Sequence, residues 1–84
     1  MVVWIVVGNW VTEDDMDSFV SIYDSEDKAK RSFKECIAEE MQHDWYNELP
    51  DRVVESDDRY WTVYEKGNYN LNYVEYYYER REVK

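Results

Sequence analysis

The stretch Leu71-Asn72-Tyr73-Val74-Glu75-Tyr76-Tyr77-Tyr78-Glu79-Arg80-Arg81-Glu82-Val83 decides the fold. Side chains of a β-strand alternate between two faces, so Val74, Tyr76 and Tyr78 fall on one side and Tyr73, Glu75, Tyr77 and Glu79 on the other. The first set suits a core, and the second suits a surface. A strand with one buried face needs strands beside it and a layer on top. Arg59 to Glu65 supplies one neighbour, joined through a turn at Lys66-Gly67-Asn68. Val2-Val3-Trp4-Ile5-Val6-Val7 is a continuous apolar run of largely β-branched residues, the pattern of a strand central in its sheet. Gly8-Asn9 loosens the chain, and Ser18-Phe19-Val20-Ser21-Ile22-Tyr23 follows as a second strand.

Asp24-Ser25 opens a helix: either side chain can cap it, and Glu26 and Asp27 lie in its positive first turn. The helix is expected to run from about residue 25 to 49, where Pro50 stops it. Ala29, Phe33, Cys36 and Ile37 share one face. Met41, Trp45 and Leu49 continue at steps of four, which rotates the stripe by about 40° per step and predicts a bend or a change of packing partner near residues 38 to 42. Residues 50 to 58 read as a polar loop. The expected fold is α+β, a four-stranded antiparallel sheet in β-β-α-β-β order with one long helix packed on one face, forming a single domain over residues 1 to 84.

Charge carries the functional signal. Twenty acidic residues face ten basic ones in 84 residues, for a net charge of −10. Aromatics at 18% and hydrophobics at 44% provide enough apolar surface for the chain to fold despite that charge. Two acidic blocks frame a short basic one made of Lys28, Lys30, Arg31 and Lys34. Nucleic acid and anionic membrane are poor partners for such a surface, and a basic protein is a good one.

Glu35, Glu39, Glu40, Asp44 and Glu48 form a row along the expected helix. Over thirteen residue steps, about 20 Å of helix, the row matches the spacing of about six phosphates of a DNA strand at about 3.4 Å each. The pairs 35/39, 40/44 and 44/48 are like-charged i,i+4 neighbours costing roughly 0.2–0.5 kcal/mol apiece, so the row works against the isolated helix. It either imitates a phosphate backbone, aided by Asp14, Asp15 and Asp17, or is a solvated face that keeps a small protein soluble. The run Glu13-Asp14-Asp15-Met16-Asp17 lacks the central glycine and closing glutamate of a calcium loop, so it reads as a solvated acidic turn rather than a metal site.

Tyr73 and Tyr77, interleaved with Glu75 and Glu79, form a competent protein-binding face, with rigid rings for contact and acids that select a basic partner. Ordinary cross-strand pairing explains the same pattern. Met41, Trp45 and Leu49 are a candidate homodimer interface. Catalysis lacks parts: His43 is the only histidine and has no nucleophile to activate, and Gly8 and Gly67 make no phosphate-cradling loop. No metal or cofactor is expected. Cys36, the only cysteine, reads as a small core residue and fits a reducing, cytoplasmic compartment. The apolar opening is too short to span a bilayer and lacks the basic start of a signal peptide.

The short apolar first strand, the helix opening Asp24-Ser25-Glu26-Asp27-Lys28-Ala29 and the aromatic strand Tyr73 to Glu82 resemble small bacteriophage-encoded single-domain proteins. The acidic rows make the chain similar to phage DNA-mimic proteins. That resemblance implies a non-enzymatic inhibitor in the cytoplasm of an infected bacterial host. Its partner would be a basic nucleic-acid-binding protein such as a nucleoid protein, nuclease or CRISPR effector. The alternative is an interaction module that binds through its tyrosine-rich strand face, with acidity serving solubility.

Overall fold

A computed structural model describes residues 1–11, 16–49, 51–67 and 72–83. Along the chain run β1 (Val2–Val11), β2 (Met16–Tyr23), α1 (Glu26–Met41), α2 (Asp44–Glu48), β3 (Arg52–Asp57), β4 (Tyr60–Glu65) and β5 (Tyr73–Glu82). The class is α+β with an antiparallel sheet and one main helix, as the sequence implies. The sheet has five strands rather than four, in the order β2-β1-β5-β4-β3. The expected β-β-α-β-β order is therefore corrected: two helices precede three strands, because residues 52 to 57, read as loop, form β3.

The core lies between the sheet and α1. Val6, Trp61, Val63, Val74, Tyr76 and Tyr78 of the sheet pack with Ala29 and Phe33 of α1, all buried. Phe33 meets the ring of Tyr78 edge-on at 5.3 Å between centroids, a favoured aromatic geometry. Gly8 is needed where it stands. A Cβ there would lie 2.3 Å from a ring carbon of Phe19 and 2.8 Å from one of Tyr76, so its absence lets rings from both neighbouring strands close over β1.

Of the two candidate caps, Ser25 rather than Asp24 closes α1, its Oγ accepting the Lys28 backbone N–H at 3.3 Å. The single helix over 25 to 49 is corrected: α1 ends at Met41, and α2 begins at Asp44 after an extended His43. A side chain from α2 bridges the break. Asn47 donates from Nδ2 to the Met41 carbonyl at 3.4 Å, a group of the kind that a helix end leaves open, and to the His43 carbonyl at 3.1 Å, which also accepts the Asn47 backbone N–H. Arg52 then ties β3 to α2, donating to the Tyr46 carbonyl at 2.7 Å while its guanidinium sits 4.2 Å from that ring's centroid.

Candidate functional site

The sheet has two unequal faces. α1 covers the face of Val6, Tyr76 and Tyr78, while among the described residues no helix packs against the other. The strand register arranges that open face in rows. Val20, Val7, Tyr77, Tyr60 and Asp57 form one row across all five strands. Ser18, Asn9, Glu75, Thr62 and Glu55 form the next, followed by Met16, Val11, Tyr73, Tyr64 and Val53. Directly opposed residues point to the same side, so Tyr60, Tyr64, Tyr73 and Tyr77 surround Thr62. Thr62 is 2% exposed, and its hydroxyl donates to the Val74 carbonyl at 2.9 Å.

Toward β2 the open face turns aliphatic. Val20 is 61% exposed, Ile22 68% and Met16 75%, a row of large apolar side chains left in water on an edge strand. Carboxylates punctuate the face. Glu75 accepts a hydrogen bond from Asn9 Nδ2 at 3.2 Å, and Glu79 accepts from Arg81 Nε at 2.9 Å. Glu55 and Asp57 are exposed on β3. The tyrosine and carboxylate alternation expected for Tyr73 to Glu79 is present, and it is one strand of a larger surface. Tyr60, Tyr64, Val20 and Ile22 complete it, and none of them stands out in sequence, because only the register brings the strands together.

The helical acids are dispersed by the break between α1 and α2. Glu35 and Glu39 are exposed on α1, and Asp44 and Glu48 on α2. The 40/44 pair spans the break and is not a helical neighbour pair. Glu40 leaves the row altogether: its carboxylate accepts the Tyr76 hydroxyl at 3.4 Å, and burial, the largest cause, pushes its pKa up. Burial also pushes the Tyr76 phenol up, with the Glu40 charge acting in the same direction. The row of five carboxylates read along one helix is thus divided into two exposed pairs, Glu35 with Glu39 and Asp44 with Glu48. Asp17 is exposed at the start of β2, and its carboxylate accepts the Ser18 backbone N–H at 2.8 Å. Asp14 and Asp15 lie outside the described residues.

Met41, Trp45 and Leu49 do not form one stripe. Trp45 and Leu49 pack against the chain's own core, while Met41 at the end of α1 is 41% exposed. Cys36 sits half-buried against the core, its thiol pushed up first by desolvation and then by the Glu39 charge. Such a thiol is a poor nucleophile.

A cleft of about 380 Å³ opens on the helix side where α1 meets α2, lined by Trp10, Glu40, His43, Trp45, Val74 and Tyr76. His43 and Trp45 reach it because the chain breaks between the helices. The sequence offered no signal for Trp10 as a site residue, since the strand read from 2 to 7 ended before it. Among the described residues, no helix is long and apolar enough to cross a membrane. No protein family, curated protein or solved structure matches the chain.

Proposed function

We propose that this chain is a non-enzymatic protein-protein interaction module that receives a basic partner on the open face of its sheet. One observation carries the proposal: Val20 and Ile22 stand 61% and 68% exposed beside rows that contain four tyrosines, on a face with no helical cover among the described residues. Large exposed apolar side chains in contiguous rows are a hallmark of contact surfaces, and tyrosines supply rigid area with a polar tip. Charge selects the partner. Glu55, Asp57, Glu75 and Glu79 lie on this face against Arg81, which already bonds to Glu79, and the whole chain carries −10. A cationic protein surface is attracted and nucleic acid is repelled.

Phosphate mimicry by the helical acids is a second reading, favoured by the exposure of Glu35, Glu39, Asp44 and Glu48. Its partner would be a basic nucleic-acid-binding protein held through its DNA site. The withdrawal of Glu40 to Tyr76 and the break at residues 42 and 43 weigh against it, because mimicry depends on regular spacing of charge.

Capture from a bacterial lysate with three baits separates the two. The baits are the wild type, a Tyr73→Ser/Tyr77→Ser variant, and a Glu35→Gln/Glu39→Gln/Asp44→Asn/Glu48→Gln variant, each checked for native circular dichroism. The open-face proposal expects a basic protein held by the wild type and the acid variant but lost by the tyrosine variant. Loss on the acid variant alone, with release by DNA, would transfer the function to the helices. Identical capture by all three overturns both.

A further inference from the structure

We infer that the cleft bordered by Trp10, Trp45 and Tyr76, with the Glu40 carboxylate in its wall, binds an alkylated ammonium head group. The cleft lies on the helix side of the sheet, away from the open face, so the inference stands or falls separately from the proposed function.

Three features converge on this ligand class. The first is the wall chemistry: two indoles and a phenol border a space of about 380 Å³, at the small end of ligand-binding clefts. Aromatic faces attract cations through their quadrupole, tryptophan most strongly, and ringed aromatic walls suit quaternary ammonium in particular. The second is the charge in that wall. Glu40 is half-buried among these aromatics, where an anion interacts more strongly than in water. Asp17 is the cross-strand partner of Trp10, and Glu39 lines a neighbouring hollow that shares His43 with the cleft, so two further carboxylates stand near a wall whose basic side chain is His43.

The third feature separates ammonium from guanidinium. Glu40 Oε1 already accepts the Tyr76 hydroxyl, which engages one of the lone pairs that a guanidinium fork would use. An alkylated ammonium requires no such lone pair, because its charge is spread over a rounded apolar surface that fits against rings. Rigidity supports the assignment. Tyr76 stacks on Trp61 at 6.0 Å and contacts Phe19 at 6.2 Å, while Trp10 contacts Phe19 at 6.2 Å. Two of the three aromatic walls are thus held in place by core packing before any ligand arrives, which lowers the ordering cost of binding.

The test titrates choline and its neutral carbon isostere 3,3-dimethyl-1-butanol into the protein while recording the indole N–H resonances of Trp10 and Trp45. Choline is expected to shift both resonances saturably and to bind at least about tenfold more tightly than the isostere, since only the charge differs. Glu40→Gln keeps an acceptor for Tyr76 and removes the charge, so it should weaken choline about tenfold and leave the isostere unchanged. Trp45→Leu should weaken choline as well. If that variant unfolds, the Glu40→Gln comparison still decides. A short trimethyl-lysine peptide identifies the source: tighter binding than choline assigns the cleft to a modified protein side chain, and equal binding assigns it to a free small cation. Equal affinity for choline and the isostere, or no saturable shift at millimolar choline, overturns the inference.

Discussion

The hydroxyl of Tyr76 on β5 donates to Glu40 Oε1 at the end of α1, 3.4 Å away and thirty-six residues along the chain. The contact takes a carboxylate out of the helical acid row and places it against the aromatic core. The burial that accompanies it raises the pKa of Glu40.

Glu40 is held above its ordinary value of 4.5, mainly by burial, and the shift is opposed by the His43 charge and the Tyr76 hydrogen bond. A carboxyl whose folded pKa exceeds its unfolded one binds its proton more tightly in the folded state. Its contribution to stability is therefore greatest at low pH and is lost as pH rises through the window above 4.5. The other titratable groups that interact with this carboxyl are His43, Tyr76 and Cys36. Glu40→Gln removes the ionisation while preserving an acceptor. Urea midpoints for wild type and variant, followed from pH 4 to 7, should diverge in favour of the variant as pH rises. Parallel curves would mean that Glu40 titrates as an ordinary surface acid.

Gly8 and Gly67 are expected to respond differently to alanine. At Gly8 the new methyl collides with the Phe19 and Tyr76 rings, and overpacking of this kind costs about 1–3 kcal/mol with displaced rings. At Gly67 there is open space but a φ of 89°, so the cost is backbone strain of about 1–2 kcal/mol with the core untouched. Near-ultraviolet circular dichroism distinguishes the two, changing for Gly8→Ala and staying native for Gly67→Ala.

Much of this architecture is legible in the sequence, for physical reasons that also explain what is missed. The parity of Tyr73 to Glu79 sorts buried from open positions correctly, because a strand with one covered face alternates strictly. Ser25 marks the helix start because it supplies a local hydrogen bond. β3 was hidden because an edge strand buries little: along Arg52-Val53-Val54-Glu55-Ser56-Asp57 only Val53 is even partly buried, and charged edges guard against aggregation. The helix break was half visible. The rotating stripe of Met41, Trp45 and Leu49 signals a change of packing near residue 41, but the Asn47 bonds that stabilise it depend on the folded backbone. The open face and the aromatic cleft are products of register and could be assembled only once strands distant in sequence were paired.

Asn47 and Arg52 together should govern the attachment of α2. Asn47→Ala removes two hydrogen bonds across the break, one to the end of α1 and one to the N-cap of α2, and Arg52→Leu removes both the carbonyl bond and the contact with the Tyr46 ring. Each exposed interaction contributes about 0.5–1.5 kcal/mol. Amide exchange should therefore accelerate in α2 while β1 and β5 keep wild-type protection. Uniform acceleration across the sheet would show instead that α2 and the core unfold as one unit.

The central claim is that the open sheet face is the contact surface, and the most direct measurement is a backbone amide perturbation map of the labelled chain saturated with its captured basic partner. The proposal expects shifts concentrated at Val20, Ile22, Tyr73, Tyr77 and their cross-strand neighbours. Shifts confined to Glu35, Glu39, Asp44 and Glu48, with the sheet residues unmoved, would contradict it.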